Sequence, residues 1–214
     1  MTHMTPRIAI IDYESGNLRS VHKAFVAVAC DAEVVVTNNP SDLKQASHVV
    51  FPGVGAFSDC YQGLQRLDGM AAALHEFIFT EKKPFLGICV GMQLLATKGF
   101  EDGEHQGLGW IGGVVQRLTP TDKTLKIPHM GWNTLDSQHP HPLFAGLPPE
   151  PHFYFVHSYH FVPSSPAVVL STTNYDTPFV SAIGVDNIVA TQFHPEKSQA
   201  NGLKLLTNFV EWRP

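Results

Sequence analysis

The sequence predicts a three-layer α/β fold: a mostly parallel central sheet, helices on both faces, and an antiparallel extension toward the C-terminus. Three observations lead there. In the first hundred residues, short runs that are apolar throughout alternate with segments of helical periodicity, as in parallel strands buried on both faces. In the second half, strand-like runs follow one another with only turn chemistry between them. The chain then closes on an amphipathic helix. No linker, repeat or low-complexity stretch interrupts the 214 residues, so one domain over 1–214 is expected, with its core from about 7 to 212.

Taken in order, RIAIIDY (7–13) reads as a buried strand. GNLRSVHKAFVAVAC follows as a helix, with Leu18, Val21, Phe25 and Val28 on one stripe and Asn17 at its N-cap position. AEVVVTNN (32–39) is a second strand, SDLKQA (41–46) a short helix opened by Ser41, and HVVFPG (48–53) a third strand. A helical region over 57–82 precedes the strand KPFLGIC (83–89) and a helix over 90–100. Strands are then expected at 109–118, 152–162, 167–174, 179–186 and 187–193, with Asp186-Asn187 as a hairpin turn. Ser198 should cap the last helix, 198–212, whose stripe is Leu203, Leu206, Phe209 and Val210.

Composition excludes several classes. Apolar residues make up 43% of the chain and the formal charge is −5, with no run of Lys or Arg. That leaves no nucleic-acid footprint and no basic membrane-binding stripe. No apolar run approaches a bilayer span, and MTHMTPR lacks the pattern of a signal peptide. Three widely spaced cysteines (Cys30, Cys60, Cys89) fit a reducing, cytoplasmic compartment rather than a disulfide scaffold. Cys30 and Cys60 fall on helical stripes and read as packing residues. The 12 histidines are scattered and most of them read as surface or loop residues, and no spacing suggests a metal site.

Cys89 is different. FLGICVGMQLL (85–95) puts it at a strand-to-helix corner, between Gly87 and Gly91. Glycines there let strand and helix pack closely around a strained, exposed turn, as in the nucleophile elbow G-x-S-x-G. Helix N-termini favour the thiolate form of a nearby cysteine, and the Val90 N–H can serve an oxyanion. The competing reading is an inert packed cysteine. A nucleophile needs a base, and the base an orienting partner. TQFHPEKS (191–198) offers His194 and Glu196, two apart at a strand end, where the competing reading is a solvated pair. FPGVGAF (51–57) adds a glycine turn in which Gly53 and Gly55 can present backbone N–H groups toward Cys89.

Together these motifs resemble the class I (triad-type) glutamine amidotransferases. DYESGNLRSV, FPGVGAF, PHMGWN (128–133), YFVHSYHF (154–161) and QFHPEKS further resemble, in order, the glutaminase-subunit family of imidazole glycerol phosphate synthase. The family pattern carries a glycine after the first motif's tyrosine; Glu14 stands there in this chain. The resemblance implies a flavodoxin-like fold and hydrolysis of L-glutamine without metal or organic cofactor. Cys89 would attack, His194 would transfer protons and Glu196 would orient it. Gln93, Glu101 and the main chain of Ser158 and Tyr159 would hold glutamine. Asn17, Met130, Trp132, Asn133 and Lys197 would face a (β/α)8-barrel cyclase in a heterodimer, which would receive ammonia for histidine biosynthesis. The glutaminase of pyridoxal phosphate synthesis, or a decayed scaffold subunit, are the alternatives.

Overall fold

In a computed structural model, residues 6–29, 31–137 and 139–214 are described. Cys30, expected on a helix stripe, lies outside them. The first half runs β1 (Arg7–Ile11), α1 (Leu18–Val28), β2 (Glu33–Thr37), a 3-10 turn (Pro40–Gln45), β3 (His48–Gly53), α2 (Phe57–Arg66), α3 (Met70–His75), β4 (Phe85–Cys89) and α4 (Val90–Gln93). The second half gives β5 (Lys98–Gly99), β6 (His105–Gln106), β7 (Gly113–Arg117), β8 (His129–Thr134) and β9 (Asp136–Ser137). It continues with β10 (His152–His157), β11 (Tyr159–Pro163), β12 (Val169–Tyr175), β13 (Thr177–Val185), β14 (Ile188–Thr191) and α5 (Gln199–Glu211).

The main sheet has the order β2-β1-β3-β4-β14-β13-β12-β9. Its first five strands are parallel neighbours and the remaining pairs are antiparallel, which is the predicted α/β architecture. The rest of the antiparallel material is not an extension of this sheet. It forms two small sheets, β10-β8 and β11-β7-β5-β6.

Side-chain alternation along β3 shows the layering. His48 meets Phe209 of α5 (5.3 Å between ring centroids), and Phe209 meets Phe25 of α1 (6.2 Å). Three residues on, Phe51 points to the opposite face, where it stacks on Tyr13 (4.7 Å) and meets Phe85 (5.8 Å). On that face α2 approaches through Gly63, where any Cβ would run into the Tyr13 carbonyl.

Several expectations change at the element level. The helix expected over 90–100 stops at Gln93. The carbonyls that would continue it are taken by another loop: Leu94, Leu95 and Ala96 accept from Leu108, Ile111 and Gly109. Lys98–Gly99 then becomes a strand, with Gly99 pressed on the Phe57 ring. The helical region 57–82 is α2, α3 and a π-turn at Glu76–Thr80, broken at Gly69 (φ 75). Asn39, not Ser41, caps the 3-10 turn, its side chain accepting from the Ser41 N–H (3.1 Å). The single strand expected over 152–162 breaks at Ser158, because β10 pairs with β8 while β11 pairs with β7. PHMGWN, not assigned to an element from sequence, supplies β8. The hairpin at Asp186-Asn187 forms as expected, with Val185 opposite Ile188.

Candidate active site

Pairing of β3 with β4 sets Gly53 opposite Cys89, and pairing of β14 with β4 sets Thr191 opposite Ile88. The glycine turn, the cysteine and the His194 segment therefore leave the same edge of the sheet from three neighbouring strands. This is the carboxyl end, where open α/β sheets bind ligands.

Cys89 has φ 55 and ψ −111, a conformation that costs a non-glycine residue on the order of 1–3 kcal/mol. The surroundings hold it there. A Cβ on Gly91 would collide with the Phe51 carbonyl, and one on Gly87 would sit 2.9 Å from the Gly91 carbonyl. Both glycines thus permit the close crossing of β3, β4 and α4 that forces the turn. Gly53 is equally confined: a Cβ there would lie 2.7 Å from Tyr13 Oη and 2.8 Å from Gly91 N.

His194 and Glu196 meet at 2.8 Å, Nδ1 to Oε1, with both side chains almost fully buried. They are brought together by a 3-10 turn (Pro195–Lys197) beyond the end of β14, not by alternation along a strand. Ser198 holds that turn. Its hydroxyl donates to the His194 carbonyl (2.6 Å) and accepts from the Tyr154 N–H (3.0 Å), so Ser198 stands at the N-cap position of α5 as expected but makes no side-chain cap bond there. The His194 N–H in turn donates to the Tyr154 carbonyl (2.9 Å). The Nε2 of His194 is buried and makes no hydrogen bond of standard geometry. Burial opposes the imidazolium, but the charge of Cys89 and a weak hydrogen-bonding interaction with it outweigh that effect. Glu196 adds to them, and the pKa rises to about 10.

These groups open on a cavity of about 460 Å³, within the range of about 300–1,000 Å³ usual for small-molecule sites. Cys89, Val90, His194, Val54, Gly55, Gln93, Glu101, Ser158 and Tyr159 all line it, and so do Asn17 and Lys197. Glu196 stands behind His194. Gln93 is buried and its Nε2 donates to the Tyr159 carbonyl (2.9 Å). Glu101 accepts from the Phe57 N–H (2.7 Å) at the start of α2, so one of its oxygens has a structural use. Asn17 begins α1 through its main-chain carbonyl alone, without a side-chain cap.

Met130, Trp132 and Asn133 lie apart from the cavity, on β8. Met130 is 62% exposed and Trp132 47%, although the Trp132 ring also meets Tyr154 edge to face (6.1 Å). The Lys197 ammonium lies 5.9 Å from the centre of the same Tyr154 ring.

Sequence reasoning missed four buried polar residues. His157 and His129 are buried, not surface residues, and so is His48. Gln192, fully buried, reaches Cys89 Sγ with its Nε2 (3.7 Å). The available signals were a histidine spaced among alternating aromatics in HFYFVHSYHF and a lone amide closing the apolar run IVATQF. Among the described residues, no cluster of three or more His, Cys, Asp or Glu could hold a metal ion, and no helix is long and apolar enough to cross a membrane.

Known proteins resemble this chain over nearly its whole length. The family model for glutamine amidotransferase class-I matches residues 9–212. The imidazole glycerol phosphate synthase subunit HisH of Rhodospirillum rubrum is 56% identical over 213 residues, covering 97% of this chain and all of that one. The HisH subunit of Mesorhizobium japonicum is 50% identical over 215 residues, with the same coverage. Among solved structures, PurLQS from Thermotoga maritima shares the fold at 16% identity, with a TM-score of 0.75 over 97% of this chain and 99% of that chain. A match across nearly the whole sequence, with full-length relatives at half identity or better, allows one assignment: the chain belongs to the class-I glutamine amidotransferase family, among the HisH subunits of imidazole glycerol phosphate synthase.

Proposed function

We propose that this chain hydrolyses L-glutamine to glutamate and ammonia, and delivers the ammonia to a cyclase subunit that makes imidazole glycerol phosphate and aminoimidazole carboxamide ribotide in histidine biosynthesis. The observation that carries the reading is the strained Cys89 elbow on one cavity with the buried His194–Glu196 pair.

In this reading the Cys89 sulfur attacks the glutamine Cδ. The tetrahedral intermediate collapses to a thioester as the C–N bond breaks, and the His194 imidazolium gives its proton to the departing nitrogen. Ammonia leaves. His194, now neutral, takes a proton from water as the oxygen adds to the thioester, and collapse releases glutamate and restores the sulfur. Glu196 keeps Nδ1 protonated and Nε2 aimed at the reacting atoms. The oxyanion is held by the Val90 N–H, at the first turn of α4, and by an N–H of the Gly53-Val54-Gly55 turn. Gln93, Glu101 and the main chain of Ser158 and Tyr159 hold the amino-acid end of the substrate.

Exposed Met130 and Trp132 support a docking face, because Met and aromatic residues are enriched in interface cores. Asn133 and Lys197 extend it, and Lys197 and Asn17 connect it to the cavity. A (β/α)8-barrel cyclase seated there would receive ammonia directly.

The test is a glutaminase assay with and without the candidate cyclase and its nucleotide ligand. Strong stimulation by the liganded partner is expected. Full activity of the isolated chain would count for a stand-alone hydrolase instead.

A further inference from the structure

Gln192 follows the last residue of β14 and has no exposed surface. Its Oε1 accepts from Gln93 Nε2 (3.1 Å), and its own Nε2 donates to Cys89 Sγ (3.7 Å). Neither amide is free to turn round. The Tyr159 carbonyl can only accept, so Gln93 must present its nitrogen there, at 2.9 Å. That same nitrogen faces Gln192. Reversing Gln192 would set two NH2 groups against each other and turn an oxygen toward the sulfur.

The far side of the Tyr159 carbonyl obeys the same logic. His157 Nδ1 lies 2.9 Å from it and must carry a proton. Burial pushes the His157 pKa down to about 3, so the ring is neutral and its Nε2 accepts. His129 Nδ1 therefore donates to it (3.2 Å), and Asn133 Nδ2 donates to His129 Nε2 (3.3 Å). One carbonyl thus sets the direction of every hydrogen bond in a line from β8 to the cysteine.

We propose that Gln192 is a further catalytic residue: its side-chain amide donates an N–H to the Cys89 sulfur and stabilises the thiolate that attacks, with Gln93 holding it in the donating orientation. This rests on Cys89 being the nucleophile. Among the described residues, the other titratable or charged groups around the sulfur are His194 with Glu196 behind it, Glu101, Lys197, His157 and Tyr159 on the cavity wall, and Tyr13 and Cys60 at the glycine turn.

The experiment is the pH dependence of Cys89 alkylation by iodoacetamide in the isolated chain, followed by mass spectrometry of the Cys89 peptide. A hydrogen bond to a charged group should hold the acid limb lower by about one pH unit. Gln192→Met, which lacks the N–H, should raise the limb by that amount. Gln192→Glu, which places an oxygen against the sulfur, should raise it further. With the cyclase present, both should lower kcat at least tenfold and leave KM within about twofold. Cooperative thermal unfolding of each variant identifies the folded ones, and Gln93→Met, which removes the orienting group without touching Gln192, gives a third reading. An acid limb that stays at the wild-type position in the folded variants overturns the proposal. Absence of glutamine turnover by the wild-type complex overturns the glutaminase reading instead, and leaves the alkylation result standing on its own.

Discussion

His194 and His157 line the same cavity and are both buried, yet they are held in opposite protonation states. Burial pushes His157 down to about 3, since its neighbours are a carbonyl and a neutral imidazole. The same burial acts on His194, but Cys89 and Glu196 overcome it and raise the ring to about 10. A low-dielectric site favours neutrality by default, and only a facing negative charge reverses it. One histidine is thereby suited to proton transfer and the other to fixed donation.

The largest test of this contrast is Cys89→Ala. Glutamine-dependent product formation by the complex should fall at least about 10³-fold, while added ammonia still supports the cyclase. Nuclear magnetic resonance titration of the same variant should show the His194 pKa reduced, because its strongest favourable partner is gone. An unmoved titration would place the cause elsewhere. Glu196→Gln comes next, with kcat expected to drop by about 10²- to 10⁴-fold and the protein to remain folded. In the alternative where Glu196 is only structural, kcat would survive.

Stability against pH separates the two histidines by sign. His194, with its folded pKa above the ordinary value of 6.5, contributes stability that is full below pH 6.5 and lost as pH rises toward 10. His157 and His129, lowered to about 3 and about 4, contribute stability present above pH 6.5 and lost as pH falls through those values. Thermal unfolding midpoints across pH should therefore decline on both sides, and Glu196→Gln should flatten only the alkaline side. His157→Ala should cost about 1–3 kcal/mol at neutral pH, by stranding buried donors and acceptors, and can be read from chemical denaturation. The smallest effect belongs to Glu14. It occupies φ 63, which explains why the family pattern has glycine at this place. Glu14→Gly should change stability by no more than about 1 kcal/mol, since relieved backbone strain and added chain entropy oppose each other.

The parallel half of the main sheet was legible from its uniformly apolar strands, and the elbow from Gly87-x-Cys89-x-Gly91, because close backbone crossings leave glycine as the only residue that fits. What was not legible depends on contacts between distant segments. Helix α4 ends early because carbonyls 94–96 are claimed by residues 108–111, which no local pattern reports. The 152–162 run splits because two different partners wait for its halves. The buried histidines looked like surface residues because what buries them, the pairing of β8 with β10 and rings such as Phe179, comes from elsewhere in the chain. Gln192 was visible as a polar interruption, but its target is a sulfur from another strand.

The hairpin of β13 and β14 docks onto β4 late in chain order, and it brings His194, the proposed base, to Cys89, the proposed nucleophile. On the proposed mechanism, a partly synthesised chain would carry the corner cysteine without its proton acceptor, and would leave glutamine intact until the last strand has docked. On refolding, turnover should return in step with amide protection of residues 188–191.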